Sequence, residues 1–110
     1  MPGGSVATRF SGPALVTNAA ATKYTVPAGQ RIVIRHIHVQ NPTGSPVTFT
    51  MSIGTDAAGT RIFDAYSIAA NTLLDHFGIY ALTAAEIIQA FAGTTNVVTL
   101  TIDGDLYMIG

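Results

Sequence analysis

The sequence predicts an all-β domain, an antiparallel β-sandwich of jelly-roll type with eight or nine strands. Val47, Phe49, Met51 and Ile53 alternate with Thr48, Thr50 and Ser52. That period of two is expected of a strand with one face in a core and the other wet or against a polar neighbour. Val98, Leu100 and Ile102 alternate with Thr99 and Thr101 in the same way. Between such runs, clusters of turn-forming residues recur about every 8–12 residues, the spacing of a sandwich. Phe49, Met51, Leu100 and Ile102 are the predicted core. A chain of 110 residues is one domain, long enough to bury that core without staples.

Residues 1–13 combine Gly-flanked ends with small polar side chains and are read as a flexible N-terminal arm, with residues 14–110 as the sandwich. Val6, Thr8 and Phe10 share one parity, so a short strand forms if the arm finds an edge to pair with. Val6 and Phe10 are the arm's candidate assembly residues. Residues 14–18 and 22–26 are two short strand candidates, and Val26-Pro27-Ala28-Gly29 has Pro and Gly where a turn wants them.

Gln30–Asn41 is the longest strand, and its alternation is broken. Val33, Ile37 and Val39 share a parity with Arg35, whereas Ile32 and Ile34 share the other with His36 and His38. Either a bulge near Arg35 or burial of both faces accounts for the change. Residues 41–46, NPTGSP, are turn chemistry, and the clean strand Val47–Ile53 completes a hairpin around them.

Residues 54–60 form a loop, Arg61–Ile68 returns as a strand, and Ala69-Ala70-Asn71 turns again. Residues 72–80 are mostly apolar on both parities, which suits a buried strand. Residues 83–92 are ambiguous. Thr83-Ala84-Ala85-Glu86 has the form of a helix capping box, with Ala84, Ile87, Ile88 and Phe91 at helical spacing. The competing reading, a turn followed by a strand at Ile87–Ala92, keeps the regular series of strands intact and is preferred. Asp103-Gly104 is a tight-turn dipeptide that divides the strand of Val98 and Ile102 from a last strand at the C-terminus.

Composition excludes more than it identifies. There are no cysteines, so no disulfides or thiolate metal sites. Charged residues make up 10% of the chain, against about 25% in ordinary soluble domains. Five Lys and Arg against six Asp and Glu give a net charge of -1, which argues against nucleic-acid or anionic-membrane partners, since both need clustered cations. No apolar run has the length of a membrane-spanning helix, and the first residues lack the layout of a secretory signal, so synthesis in the cytoplasm is expected. A surface this poor in charge is covered by small polar residues or by other subunits.

Motifs that carry chemistry are few. His36 and His38 lie two apart on one strand and so share a face, an arrangement that can chelate a metal, with His76 as a conceivable third ligand in the manner of a cupin. The glutamate expected soon after is absent, since Val39-Gln40-Asn41-Pro42 follows, so no metal and no cofactor is predicted. Residues 54–60 lack the lysine of a phosphate loop and lead into a strand. No G-x-S-x-G elbow occurs, so no catalytic residue is assigned and the chain is read as non-enzymatic. Asp103 and Asp105 fit turn formation better than calcium. Tyr24, Tyr66, Tyr80 and Tyr107 could line a sugar-binding face, though each sits within a strand, where packing accounts for it better.

The segments TKYTVPAGQRIVIRHIHVQNPTGSPVTFTMSIG, SIAANTLLDHFG and NVVTLTIDGDLYMIG together resemble small all-β structural proteins of tailed bacteriophages and related prophages, from Lys23 to the end of the chain. The similarity lies in the VPAG turn, the IHVQN strand end, the IAANTLL turn and strand, and the terminal hairpin. Ala84-Ala85-Glu86 replaces the Gly and Asp usual there, and Phe77 and Tyr80 make the middle strands heavier, as a distinct subunit contact would. The resemblance implies a virion protein without catalysis: a capsid decoration or cement protein, or a head-fibre, neck or tail accessory component. Its partners would be other virion proteins and copies of itself, with a trimer favoured. Two other readings stand beside it, a receptor- or carbohydrate-binding module of a phage fibre and a cupin-like metal-binding protein.

Overall fold

A computed structural model describes residues 5–108 as eight strands and no helix. They are β1 (Val6–Leu15), β2 (Ala21–Thr25), β3 (Gln30–Asn41), β4 (Val47–Ile53), β5 (Arg61–Ile68), β6 (Thr72–Thr83), β7 (Ile87–Ala92) and β8 (Thr99–Met108). One sheet has the order β1-β8-β3-β6 and the other β2-β7-β4-β5, with every pairing antiparallel. Strands pair as β4·β5, β3·β6, β2·β7 and β1·β8, so the chain is one long hairpin rolled into two sheets. This is the jelly roll that the strand spacing predicts.

The core lies between the sheets. Ile32, Ile34, Ile37 and Val39 of β3 and Leu100 and Ile102 of β8 face Phe49 and Met51 of β4 and Ile88, Ala90 and Ala92 of β7, all buried. The four residues predicted for the core are among them. The parity break in β3 is a bulge: Gly104 and Asp103, adjacent on β8, pair with Ile34 and His36, so Arg35 is the extra residue. The bulge lets Ile34 and Ile37 both point inward and leaves Arg35, His36 and His38 on the outer face. Asn41 is buried at the end of β3, where its amide donates to the carbonyls of Ser45, Ile68 and Ala69 and its Oδ1 accepts from the Thr43 backbone. It fastens the β3–β4 turn to the β5–β6 turn.

Four expectations need correction. From Val6 onward residues 1–13 are not an arm apart from the sandwich: the short strand expected of Val6, Thr8 and Phe10 forms on the edge of β8 as the first part of β1, and Phe10 is buried in this chain's own core against Tyr24. Val6 is exposed; residues 1–4 lie outside the described residues. Residues 14–18 are not a separate strand, since Ala14 and Leu15 end β1. The strand over residues 72–80 is not buried but lies at a sheet edge, with alternate residues facing out. Asp103-Gly104 is not a turn: β8 runs straight through it, and the glycine serves close approach, since a Cβ there would strike the Val33 carbonyl oxygen and the Phe10 ring.

At residues 83–92 the strand reading holds. Glu86 accepts from the Thr83 backbone at 2.7 Å and from the Thr83 hydroxyl at 3.0 Å. The capping-box residues thus make their contact, but it closes the β6–β7 turn, in which Ala85 takes φ 72°.

Candidate functional site at the outer face of the first sheet

The polar side chains that the sequence singles out gather on the outer face of the β1-β8-β3-β6 sheet. Below the bulge, His36 and His38 project outward from β3. His38 pairs in register with Asp75 on β6 and Thr101 on β8, and His36 with Phe77 and Asp103. Asp75 therefore stands beside both imidazoles. Its Oδ1 lies 2.8 Å from His36 Nε2 and 2.6 Å from His38 Nδ1. An ionised carboxylate only accepts, so both ring nitrogens donate to the one oxygen. These two bonds, that from His38 foremost, hold the Asp75 carboxyl below the usual carboxylate range.

His36 is fixed from two further directions. Its ring stacks on Phe77 with centroids 4.5 Å apart and planes 5° from parallel, and its Nδ1 faces Asp103 Oδ2 at 3.7 Å. Arg35, on the bulge, bonds Asp105, and that bond above all raises the guanidinium pKa. Asp75, Asp103 and Asp105, three of the six acids in the chain, thus share this face with both histidines.

His76 does not join them. It pairs with Ile37 and lies on the inner side of β6, where Nε2 is 2.8 Å from the Tyr80 hydroxyl and the ring meets Phe63 edge-on. Sequence reasoning found the two histidines and missed Asp75, which sits next to His76 on β6. The signal was the alternation of that strand: if His76 faces inward, Asp75 faces outward.

Along the outer side of β6 the cluster is continuous with bare apolar surface. Leu73, Phe77 and Ile79 are 52%, 73% and 73% exposed, on a twelve-residue strand whose far edge has no partner strand among the described residues. Neither other candidate gathers in this way. The tyrosines divide between the sheets, with Tyr24 and Tyr66 in one and Tyr80 and Tyr107 in the other. The loop at residues 54–60 is built by internal contacts: Arg61 grips the Asp56 carboxylate through Nε and Nη2 at 2.9 and 3.0 Å, and the Asp56 backbone N–H donates to Gln89. Compared with known proteins, the chain matches no family model and no curated protein.

Proposed function

We propose that the protein is a non-enzymatic structural subunit of a tailed-bacteriophage virion, a capsid decoration or a head–tail or tail accessory component, which acts by closed homo-oligomeric assembly, most simply as a trimer. The virion assignment rests on the sequence resemblance; the observation that supports assembly is the outer side of β6. A twelve-residue edge strand bearing Leu73, Phe77 and Ile79 offers both unpaired backbone groups and apolar side chains. Chains that remain single usually blunt such an edge with charge, proline or a covering loop. Here the one charged side chain on the strand, Asp75, is turned to the histidines. A second copy of the chain is the simplest cover, and closed symmetry stops the pairing from running on into fibres.

The test is the mass in solution of the full chain and of the double variant Phe77→Ser, Ile79→Ser, together with mass spectrometry of purified phage particles. Discrete oligomers that the double variant shifts to monomers, with the protein present in particles, are expected. A full chain that stays monomeric at high concentration and is missing from particles overturns the reading.

A further inference from the structure

We propose that His36, His38 and Asp75 form a binding site for a divalent transition-metal ion of the Zn²⁺ type on the outer face of the first sheet. One ring nitrogen from each of His36 and His38 and an Asp75 carboxylate oxygen lie within 4.8 Å of one another, and Asp75 Oδ1 is already in contact with His36 Nε2 and His38 Nδ1. An ion with bonds of about 2.0–2.2 Å to imidazole and carboxylate holds its donors roughly 3.3 Å apart. Asp75 Oδ1 now sits closer than that to both nitrogens, so an ion takes the place of the two N–H protons when the carboxylate withdraws by under about 1 Å and the two imidazoles turn to bring their nitrogens to the same spacing. Two imidazoles with one carboxylate suit Zn²⁺ and its first-row neighbours, whereas Ca²⁺ and Mg²⁺ want oxygen alone.

The surroundings favour the same occupant. To ligate through Nε2, His36 must carry its proton on Nδ1, the nitrogen that faces the Asp103 carboxylate. At 3.7 Å the contact is an ion-pair distance; drawn into a hydrogen bond, a carboxylate behind a ligating histidine fixes the tautomer and strengthens the donor. Phe77 stacked on the ring holds its plane. All three donors stand on hydrogen-bonded strands, β3 and β6, in fixed register. Three protein ligands leave a tetrahedral ion one position for water or for a group from another molecule. The expectation of no metal rested on the lack of an acid in the sequence after His38; the acid is present, on the neighbouring strand. The third imidazole of the cupin-like reading, His76, takes no part, and the site is on the outside of the sandwich rather than between its sheets.

The experiment is titration of the full chain with zinc chloride, followed by calorimetry and by the imidazole NMR signals. One saturable equivalent per chain is expected, with the signals of His36 and His38 moving and those of His76 still. Asp75→Asn and His38→Ala should each weaken binding at least about 10-fold, and Asp103→Asn, which touches no metal, by about 10-fold as a positioning residue. Absence of saturable binding at millimolar zinc, or binding that moves His76 in place of the other two, overturns the site. The NMR readout uses the unaltered protein, so a variant that folds poorly does not blunt it. Binding is counted per chain, so it stands or falls apart from the assembly reading, which the mass measurement decides.

Discussion

Gly104 packs directly beneath the carbonyl of Val33, at the step where β8 crosses the bulge of β3. A Cβ at this position would overlap backbone, which cannot swing aside as a side chain does. Gly104→Ala should therefore part β8 from β3 and cost about 3–5 kcal/mol, at the upper end for single substitutions. Urea unfolding measures it. A loss under about 1 kcal/mol would mean that the two strands have room to separate there.

Phe49 is fully buried between the sheets, in contact with Phe63 at a centroid distance of 6.0 Å. Phe49→Ala should destabilise the fold by roughly 3–5 kcal/mol, as large-to-small changes in a closed core do.

Asn41 supplies one amide to three carbonyls, of Ser45 and Ala69 in two turns and of Ile68 at the end of β5. Asn41→Ala strands buried acceptors and should cost about 2–4 kcal/mol. Asn41→Asp should be worse at neutral pH, because it keeps the shape while setting a negative oxygen against those carbonyls. If the Asp variant proves the more stable in thermal unfolding, the amide is not the donor.

Asp56 is held below the ordinary carboxylate range by the Arg61 guanidinium. A carboxyl with a depressed folded pKa contributes stability that is fully present above its unfolded value, about 3.9, and is lost as pH falls through the folded value. The gap in urea midpoint between the parent and Asp56→Asn should stay constant from pH 7 to near pH 5 and close below about pH 4. Asp75 is depressed as well and is kept in Asp56→Asn, so the variant should retain an acid limb, shallower than that of the parent, which has both carboxylates. A gap that widens on acidification would contradict the ion pair.

The legible parts of the molecule were those in which local pattern and tertiary role agree. Val47–Ile53 and residues 98–102 alternate in sequence and supply buried faces to β4 and β8, whereas only its place in the series marks Ile87–Ala92 as a strand. The broken alternation around Arg35 marked the place and left a bulge or burial of both faces open; the register decides for the bulge, whose one-residue slip keeps Ile34 and Ile37 on one side. The misreadings arose where one residue type serves two ends. Glycine after aspartate makes tight turns, but Gly104 serves close approach within a strand. Apolar residues on both parities denote burial, but Phe77 and Ile79 are bare in the single chain, since periodicity records that a side chain avoids water and not which molecule covers it. Half of the histidine site was readable from spacing along one strand. Alternation along β6 puts Asp75 on the outer face, but its place beside His36 and His38 came only with the register between β3 and β6, which no spacing within either strand encodes.

The rolled hairpin also orders the making of the molecule. Met51 meets Phe63 across a short loop, His38 meets Asp75 across a longer one, then Thr22 meets Gln89, and finally Thr8 meets Gly104. Each wider closure costs somewhat more entropy, about 0.6 kcal/mol per doubling of the loop, and is made cheaper by the pair already formed inside it. Folding should start at the β4–β5 end and travel outward, slowly for a chain of this size because nearly every pairing is distant in sequence. The β1·β8 pair then closes last and opens first. Amides of Thr8 and Ala14 should exchange with deuterium well before those of Phe49 and Met51, and a ribosome must release β8 before Phe10 has a core to enter.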